Sequence, residues 1–373
     1  MTTSSEVSPD RIAGVVALTD PFAARHGGTL RTRGFIQAIE GAGFRVSTLL
    51  PTAPAGLAAQ RVKAALGTAK RHFLPMPTVW GGRDAQLAAD VKNSRSAFLV
   101  VSVLSQAQFA ASGDTPYWLD FMDVWSDFAA REAAHRDPIA RLTALAQSRV
   151  LRRYESTVAG SARIVTAAGW ADSQRLTALG TDCHWVPTAL PDDEFSPVRR
   201  RADGPGAPTK VAGFLANFDF WPNMDALTTL LRHWLPALRA EGWQLLVAGH
   251  GSDRLADLPA DVVCLGPVAD LEDYYARIDL TLAPIRLGGG MKVKVVESWA
   301  RGIPVAGTEV AFEGFSPQQA SLFVRVPIEN PRFTEFQALQ RRAPIDPSGS
   351  QLAPFRQSTL SATVRRLVHE GGL

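Results

Sequence analysis

The feature that most constrains this chain is a series of short, unbroken apolar segments, each four to seven residues long, separated by stretches of helical spacing. A sheet with one wet face alternates apolar and polar residues, and these segments do not. Strands apolar on both faces must be covered on both faces, which is the condition of a parallel sheet between helices. Ile12-Ala13-Gly14-Val15-Val16-Ala17-Leu18 is the first such run. A loop over Thr19–Gly28 follows, then helical spacing from Leu30 to Ala42, a stop at Gly43 and a second strand over Phe44–Leu50. Strand, glycine loop, helix and strand make a βαβ unit. Further strands are expected at Ala97–Val101, Tyr117–Phe121 and Arg163–Thr166, and the longest helix at Pro138–Val158.

The pattern then breaks. Pro187, Pro191, Pro197, Arg199–Arg201, Gly204, Pro205, Gly206 and Pro208 concentrate turn formers and charge, so 191–209 reads as a linker. Beyond it the alternation restarts. Strands are expected at Lys210–Leu215, Trp243–Ala248, Val262–Leu265, Asp279–Ala283 and Ile303–Ala306, and helices at Pro222–Arg239, Leu271–Arg277 and Met291–Arg301. A chain of 373 residues exceeds one ordinary core. The reading is α/β, with one Rossmann-like domain over 1–190 and another over 210–345, their parallel sheets facing a central cleft. Ligands of such sheets lie beyond the carboxyl ends of the strands.

Composition narrows the class. No apolar run approaches the roughly 18 residues of a membrane-spanning helix, and Met1–Asp10 lacks the regions of a signal peptide. A cytoplasmic protein is expected, with Cys183 and Cys264 as ordinary core thiols. Residues 1–190 hold 20 Lys/Arg against 15 Asp/Glu. That excess suits an anionic acceptor or membrane surface, or is simply a solvated Arg-rich surface, and it lacks the basic stripes of a nucleic-acid binder. Gln60–Phe73 carries four basic residues beside Val62, Ala65, Leu66 and Phe73. It reads as a packed helix with a solvated basic face or as an interfacial helix, giving weak peripheral association with the inner face of a membrane.

The richest segment runs from Gly288 to Glu297. Gly288, Gly289 and Gly290 follow an expected strand, and a helix is expected from Met291. Glycines let a backbone approach a ligand, and the unpaired amides of a helix start favour an anion. Lys292 and Lys294 lie in the first turn, where cations are disfavoured unless an anion is bound. Val293, Val296 and Ala300 share one face, and Glu297 lies beside it, three residues after Lys294. Spacing leaves two readings open: an anion site, or a flexible loop with a surface Lys294–Glu297 pair. Neither a Walker A loop nor GxGxxG is present.

Pro284–Thr308, with Gly288-Gly289-Gly290-Met291-Lys292-Val293-Lys294-Val295-Val296-Glu297 and Gly302-Ile303-Pro304-Val305, then Phe312-Glu313-Gly314, resembles the donor-site segment of glycosyltransferase family 4, the glycosyl transferases group 1, of GT-B fold. Gly213–Ala226, with Trp221-Pro222-Asn223, is similar to the start of the nucleotide-binding domain in one branch. Asp120-Phe121-Met122-Asp123-Val124-Trp125-Ser126 and Gly27-Gly28 with Arg31 are similar to its acceptor-domain signatures. The resemblance implies that Glu297 binds the nucleotide ribose, that its helix start faces the diphosphate, and that the last helix, here Leu360–His369 in the tail 346–373, returns to the first domain. It also implies retention of anomeric configuration, no obligatory metal, and no cofactor beyond a nucleoside diphosphate sugar donor. Two departures stand out. The first glutamate of the family's E-x7-E pattern falls at Gly289, and Asn217, Phe218 and Asp219 stand where many relatives carry an Arg and a Lys. Lys292 and Lys294 are therefore read as the phosphate contacts.

The remaining candidates take their roles from that frame. Gly27, Gly28 and Arg31 face the sugar phosphate, or form an ordinary helix start with an exposed arginine. His26, Asp120 and Asp123 are the catalytic or acceptor-orienting candidates, against a solvated histidine and a helix cap. Asn217, Gly249, His250 and Met291 line the nucleotide pocket, and Glu313 is a second donor-site carboxylate. Asp192-Asp193-Glu194 reads as a turn. The expected activity is transfer of a sugar to a hydroxyl of a sugar, lipid-linked or small-molecule acceptor. The alternatives are an epimerase or hydrolase of nucleotide sugars, and a non-catalytic sugar-nucleotide-binding subunit.

Overall fold

A computed structural model of the chain describes residues 11–22, 26–51, 84–134, 137–199, 210–329, 331 and 345–373. Gln60–Phe73 and the linker residues 200–209 lie outside them. In chain order the elements are β1 (Ile12–Val16), α1 (Gly27–Glu40), β2 (Arg45–Leu49), α2 (Ala85–Asn93), β3 (Phe98–Val101), α3 (Ala107–Ala111), β4 (Tyr117–Phe121), α4 (Trp125–Ala133), α5 (Pro138–Gly160), β5 (Ile164–Ala167), α6 (Trp170–Ala178) and β6 (Cys183–Trp185). There follow β7 (Val211–Leu215), α7 (Trp221–Thr229), α8 (Leu235–Ala240), β8 (Gln244–Ala248), β9 (Val263–Cys264), α9 (Leu271–Tyr275), β10 (Leu280–Ala283), α10 (Val293–Ala300), β11 (Val305–Gly307), α11 (Glu309–Phe312), β12 (Phe323–Arg325) and α12 (Gln357–Gly371).

The chain divides into two compact units, one of residues 1–189 with 357–373 and one of residues 190–356. Each contains a parallel six-stranded sheet, ordered β2-β1-β3-β4-β5-β6 in the first and β12-β11-β10-β7-β8-β9 in the second. The strand order reverses between β1 and β3, and between β7 and β10. A parallel sheet opens a crevice at such a reversal, beyond the carboxyl ends of its strands. The apolar runs are buried as their composition demands: β3, β4, β5 and β10 are buried at every position. β6, Cys183-His184-Trp185, and β12, Phe323-Val324-Arg325, each carry a polar residue and do not show as unbroken apolar runs in the sequence.

One side of the first sheet is closed by α1 and α12. Phe35 of α1 meets Trp118 of β4 edge to face at 5.3 Å, and Leu360, Val364, Leu367 and Val368 of α12 join the same core as Ile36, Ile39, Phe98 and Val100. Each such side chain contributes roughly 1.5–3 kcal/mol by leaving water. Gln357 Nε2 donates to the Gly34 carbonyl at 3.0 Å, which fixes where α12 begins on α1.

Local chemistry sets several boundaries. Asp137 caps α5 by accepting from Ile139 N–H and Ala140 N–H at 3.1 and 3.0 Å, and Pro138 takes the first helical position. The single helix expected over Pro222–Arg239 is interrupted by a π-turn at Leu230–Trp234. Pro236 follows and has no N–H to donate backward, so the ladder cannot run through unbroken. Asp192–Glu194 forms one 3-10 turn. Cys183 is buried, which pushes its thiol up to about 12. Cys264 is exposed, against the expectation of a core thiol.

Candidate functional site

In the second unit the crevice lies between the loops that leave β7 and β10. After β10, Arg286 donates through Nε to Asp225 of α7 at 3.0 Å and through a second nitrogen to its other oxygen. Thr308 holds the Ile285 carbonyl, and Leu287 is buried. This anchored segment delivers the three glycines. Gly288 and Gly290 have φ of +130° and +60°, a region that side-chain-bearing residues avoid. The turn is therefore written by glycine rather than merely tolerating it. Gly314 closes the far side: a Cβ there would stand 2.6 Å from the Gly290 carbonyl oxygen and 2.7 Å from Met291 Cα. Phe312-Glu313-Gly314 thus packs on the glycine loop and brings Glu313 beside it.

The helix starts at Val293, two residues later than expected, with Lys292 at the N-cap position. The Lys292 ammonium donates to the Gly289 carbonyl. At the position of the family's first glutamate, a backbone carbonyl rather than a carboxylate meets this cation. Lys294 extends toward β7, its Nζ 4.8 Å from the centre of the Phe214 ring. That Nζ is sealed from solvent without a hydrogen-bond partner. Burial pulls it down to about 8, helped by the neighbouring Lys292 and opposed by Glu297. Glu297 is buried, and Arg301 donates to its backbone carbonyl at 3.1 Å. The fully buried Tyr274 hydroxyl, which also has no hydrogen-bond partner, is raised by burial and then by the charge of Glu297. Gly213 of β7 leaves it room, since a Cβ there would collide with that hydroxyl. Val296 and Ala300 pack fully buried as expected, and Gly302 ends the helix at a φ of +76°.

On the other wall, Asn217 Oδ1 accepts from Asp219 N–H at 3.0 Å, closing a tight turn. Asp219 then gathers two groups from the loop after β8. His250 Nε2 lies 2.9 Å from Oδ2, and Arg254 donates to Oδ1 at 2.5 Å. Gly249 lets β8 end against the Ala216 carbonyl. Arg254 and the Arg286–Asp225 pair escaped the sequence reading, because their partners lie 35 and 61 residues away.

In the first unit, His26 is the N-cap of α1. Its Nδ1 accepts from Thr29 N–H at 3.3 Å, while Thr29 Oγ1 accepts from His26 N–H at 3.0 Å. Burial holds its pKa below the usual value, and an Nδ1 that accepts leaves the ring proton on Nε2. Gly27 and Gly28 are the first helical residues rather than loop, and their amides belong to the set a helix start leaves without intrahelical acceptors. A Cβ on Gly28 would stand 3.5 Å from Met122 Sδ, which places the loop carrying Asp123 beside this helix start. Val124, not Asp123, occupies the N-cap of α4, and the Ser126 N–H is accepted by Glu155 of α5 at 3.0 Å.

Arg31 and Asp120 require a correction. Arg31 is 2% exposed and Asp120 1%. Arg31 Nε and a terminal nitrogen donate to the two Asp120 oxygens at 2.7 and 2.6 Å, and its other nitrogen donates to the Val186 carbonyl at 2.8 Å. Thr166 also donates to Asp120, at 2.6 Å. Both groups are consumed by each other, and neither presents an edge to a phosphate or an acceptor.

With this geometry in hand, the chain can be compared with known proteins. Residues 209–330 match the family model described as Glycosyl transferases group 1. The matched segment spans about a third of the chain and lies within the second unit. No curated relative matches the sequence. Among solved structures, sucrose-phosphate synthase from Thermosynechococcus elongatus superposes with a TM-score of 0.67 at 15% identity, covering 96% of this chain and 98% of that one. HepE from Anabaena in complex with UDP-glucose gives 0.62 at 14%, covering 96% and 99%. UDP-GlcNAc 2-epimerase from Methanocaldococcus jannaschii gives 0.57 at 11%, covering 96% and 99%. At such identities the likeness shows the fold, and the expected GT-B class is borne out. The matched segment holds the crevice, Glu297 and both lysines.

Proposed function

We propose that the protein transfers a glycosyl group from a nucleoside diphosphate sugar to an acceptor hydroxyl in the cytoplasm, with retention and without metal or cofactor. The observation that carries this reading is the β7–β10 crevice, where a buried carboxylate, Glu297, sits beside the unpartnered Lys294 ammonium at a helix start, within a domain matching the family. Glu297 takes the ribose hydroxyls. The amides opening α10, with Lys292 and Lys294, meet the diphosphate, whose charge grows as the glycosyl bond breaks. His250 and Arg254, tethered by Asp219 at the same end of the sheet, add polar contacts to the nucleotide, and Glu313 one to the sugar. In the first unit the His26 Nε2–H, Asp123 and the Gly27 and Gly28 amides address the acceptor.

HepE was solved with UDP-glucose, so UDP-glucose is the first donor to try. Purified protein, donor and a panel of acceptors should release nucleoside diphosphate only when an acceptor is present, with or without EDTA. The epimerase among the structural neighbours, together with the glutamate missing at Gly289, favours one second reading: acceptor-independent conversion of the nucleotide sugar. Conversion without acceptor would establish that reading, and donor binding without turnover would make the protein a sugar-nucleotide-binding subunit. Glu297→Ala should weaken donor binding by roughly 10- to 100-fold, the worth of hydrogen bonds to a charged group.

A further inference from the structure

The helix α5 carries apolar residues on the side turned away from the core. Ala144, Ser148, Leu151, Glu155 and Val158 are buried. On the opposite side Ile139 is 80% exposed, Leu142 70% and Val150 46%. At 3.6 residues per turn these three fall within about 80° of arc, a stripe that solvent alone gives no reason to keep apolar. Arg153 lies within that arc, Arg149 about 20° beyond its edge and Arg141 about 100° beyond it, towards the buried side, and all three are exposed. None of the three makes an ion pair among the described residues. Arg152 is nearest Asp127, at 3.8 Å. The one acidic residue of α5, Glu155, is on the buried side, and Asp137 before it is occupied with the helix start.

We propose that this face of α5 docks on a membrane surface rich in anionic lipid. Its apolar stripe enters the boundary between headgroups and acyl chains, and the arginines bind the lipid phosphates. Charge selects the occupant. A second copy would set arginine against arginine, whereas an anionic leaflet complements Arg149 and Arg153 on a face with no exposed carboxylate. The exposed length, from Ile139 to Arg153, is about 20 Å at 1.5 Å per residue, enough for a helix lying in the interface plane. Among the described residues no helix is long and apolar enough to cross a membrane, so attachment here is peripheral. This assignment is independent of the reaction proposed above.

The full-length protein is floated with vesicles of phosphatidylcholine, and with vesicles in which half the lipid is phosphatidylglycerol. Binding to the anionic vesicles is expected, weakening as salt is raised, with little on the neutral ones. Arg149→Gln with Arg153→Gln should lower the affinity roughly thirtyfold. Ile139→Ser with Leu142→Ser should lower it at least about tenfold on the same vesicles. All four positions are exposed, so unchanged circular dichroism and melting should accompany both losses. Equal binding to both vesicle types overturns the proposal, and so does a serine variant that binds as well as the parent. A dimer of the parent that the serine variant dissolves would assign the face to self-association instead.

Discussion

Each unit places a cation early in a helix beside the strand reversal, α1 opening on Gly27-Gly28 and α10 following Gly288–Gly290, and the two cations have opposite fates. Arg31, the fifth residue of α1, gives three nitrogens to Asp120 and the Val186 carbonyl. Lys294, the second residue of α10, gives its Nζ to no acceptor and lies over the Phe214 ring. The motifs look alike in sequence. The difference is made by what a nearby strand places opposite, a carboxylate from β4 in one case and an aromatic ring from β7 in the other. The first cation is a strut of the fold. The second is an ammonium held out of water with no hydrogen-bond acceptor, eased by the Phe214 ring and the charge of Glu297.

The largest expected effect breaks the strut. Asp120→Ala leaves the Arg31 guanidinium buried and unpaired, a change that costs about 3–5 kcal/mol. Urea unfolding should show that loss in the first unit, while the folded fraction keeps its affinity for UDP-glucose. A loss below about 1 kcal/mol would mean that Arg31 finds other partners and that the comparison is wrong. Lys294→Met is the converse. Donor affinity should fall roughly 10- to 100-fold, with no loss of stability, since an unpartnered buried charge has been removed. If the variant binds donor normally, the phosphate role passes to Lys292 alone.

The pH dependence of Lys294 gives a finer test. Its folded value, about 8, lies below the ordinary lysine value of 10.5. Between the two the unfolded chain binds more protons, so stability rises with pH above about 8, and Lys294→Met should flatten that rise. A diphosphate restores the charged form, so binding near pH 8 should draw a proton from the buffer. Calorimetry in two buffers of different ionisation enthalpy measures that uptake, and zero uptake would separate Lys294 from the diphosphate.

How much of this was readable beforehand follows the same division. The alternation of apolar runs and helices is local, and it gives ten of the twelve strands among the described residues to within two residues of their ends; β6 and β12, each with a polar residue, leave no unbroken run. The glycine loop was readable because glycine spacing, the lysines and Glu297 all lie within ten consecutive residues. Pairings formed across the sheet were not. Arg31 and Asp120 are 89 residues apart, and nothing near either predicts that they consume each other. Asp219 stood out only as an acid where relatives carry cations, yet it is the residue that draws His250 and Arg254 to that place. His26 was read as a loop residue because histidine is an unusual N-cap, and the capping box with Thr29 appears only once the helix start is known.

The smallest expected effect sets the two units against each other through pH. Glu155 accepts from Ser126 N–H at the start of α4. Burial pushes it up to about 7, against the hydrogen bonds from Ser126 and with a small contribution from Asp127. Because the folded value is raised, the folded chain binds the extra proton. The stability it contributes is complete below the ordinary carboxylate range and lost as pH rises through about 7. The first unit should therefore weaken toward pH 8, while the second strengthens above that point through Lys294. Glu155→Gln keeps an oxygen for the Ser126 N–H and removes the titration, so its unfolding midpoint should be flat between pH 5 and pH 8 where the parent's declines. An undiminished decline in the variant would move the titrating group elsewhere in the first unit. A decline that vanishes would assign the falling slope of the first unit to Glu155, opposite in sign to the rise that Lys294 gives the second.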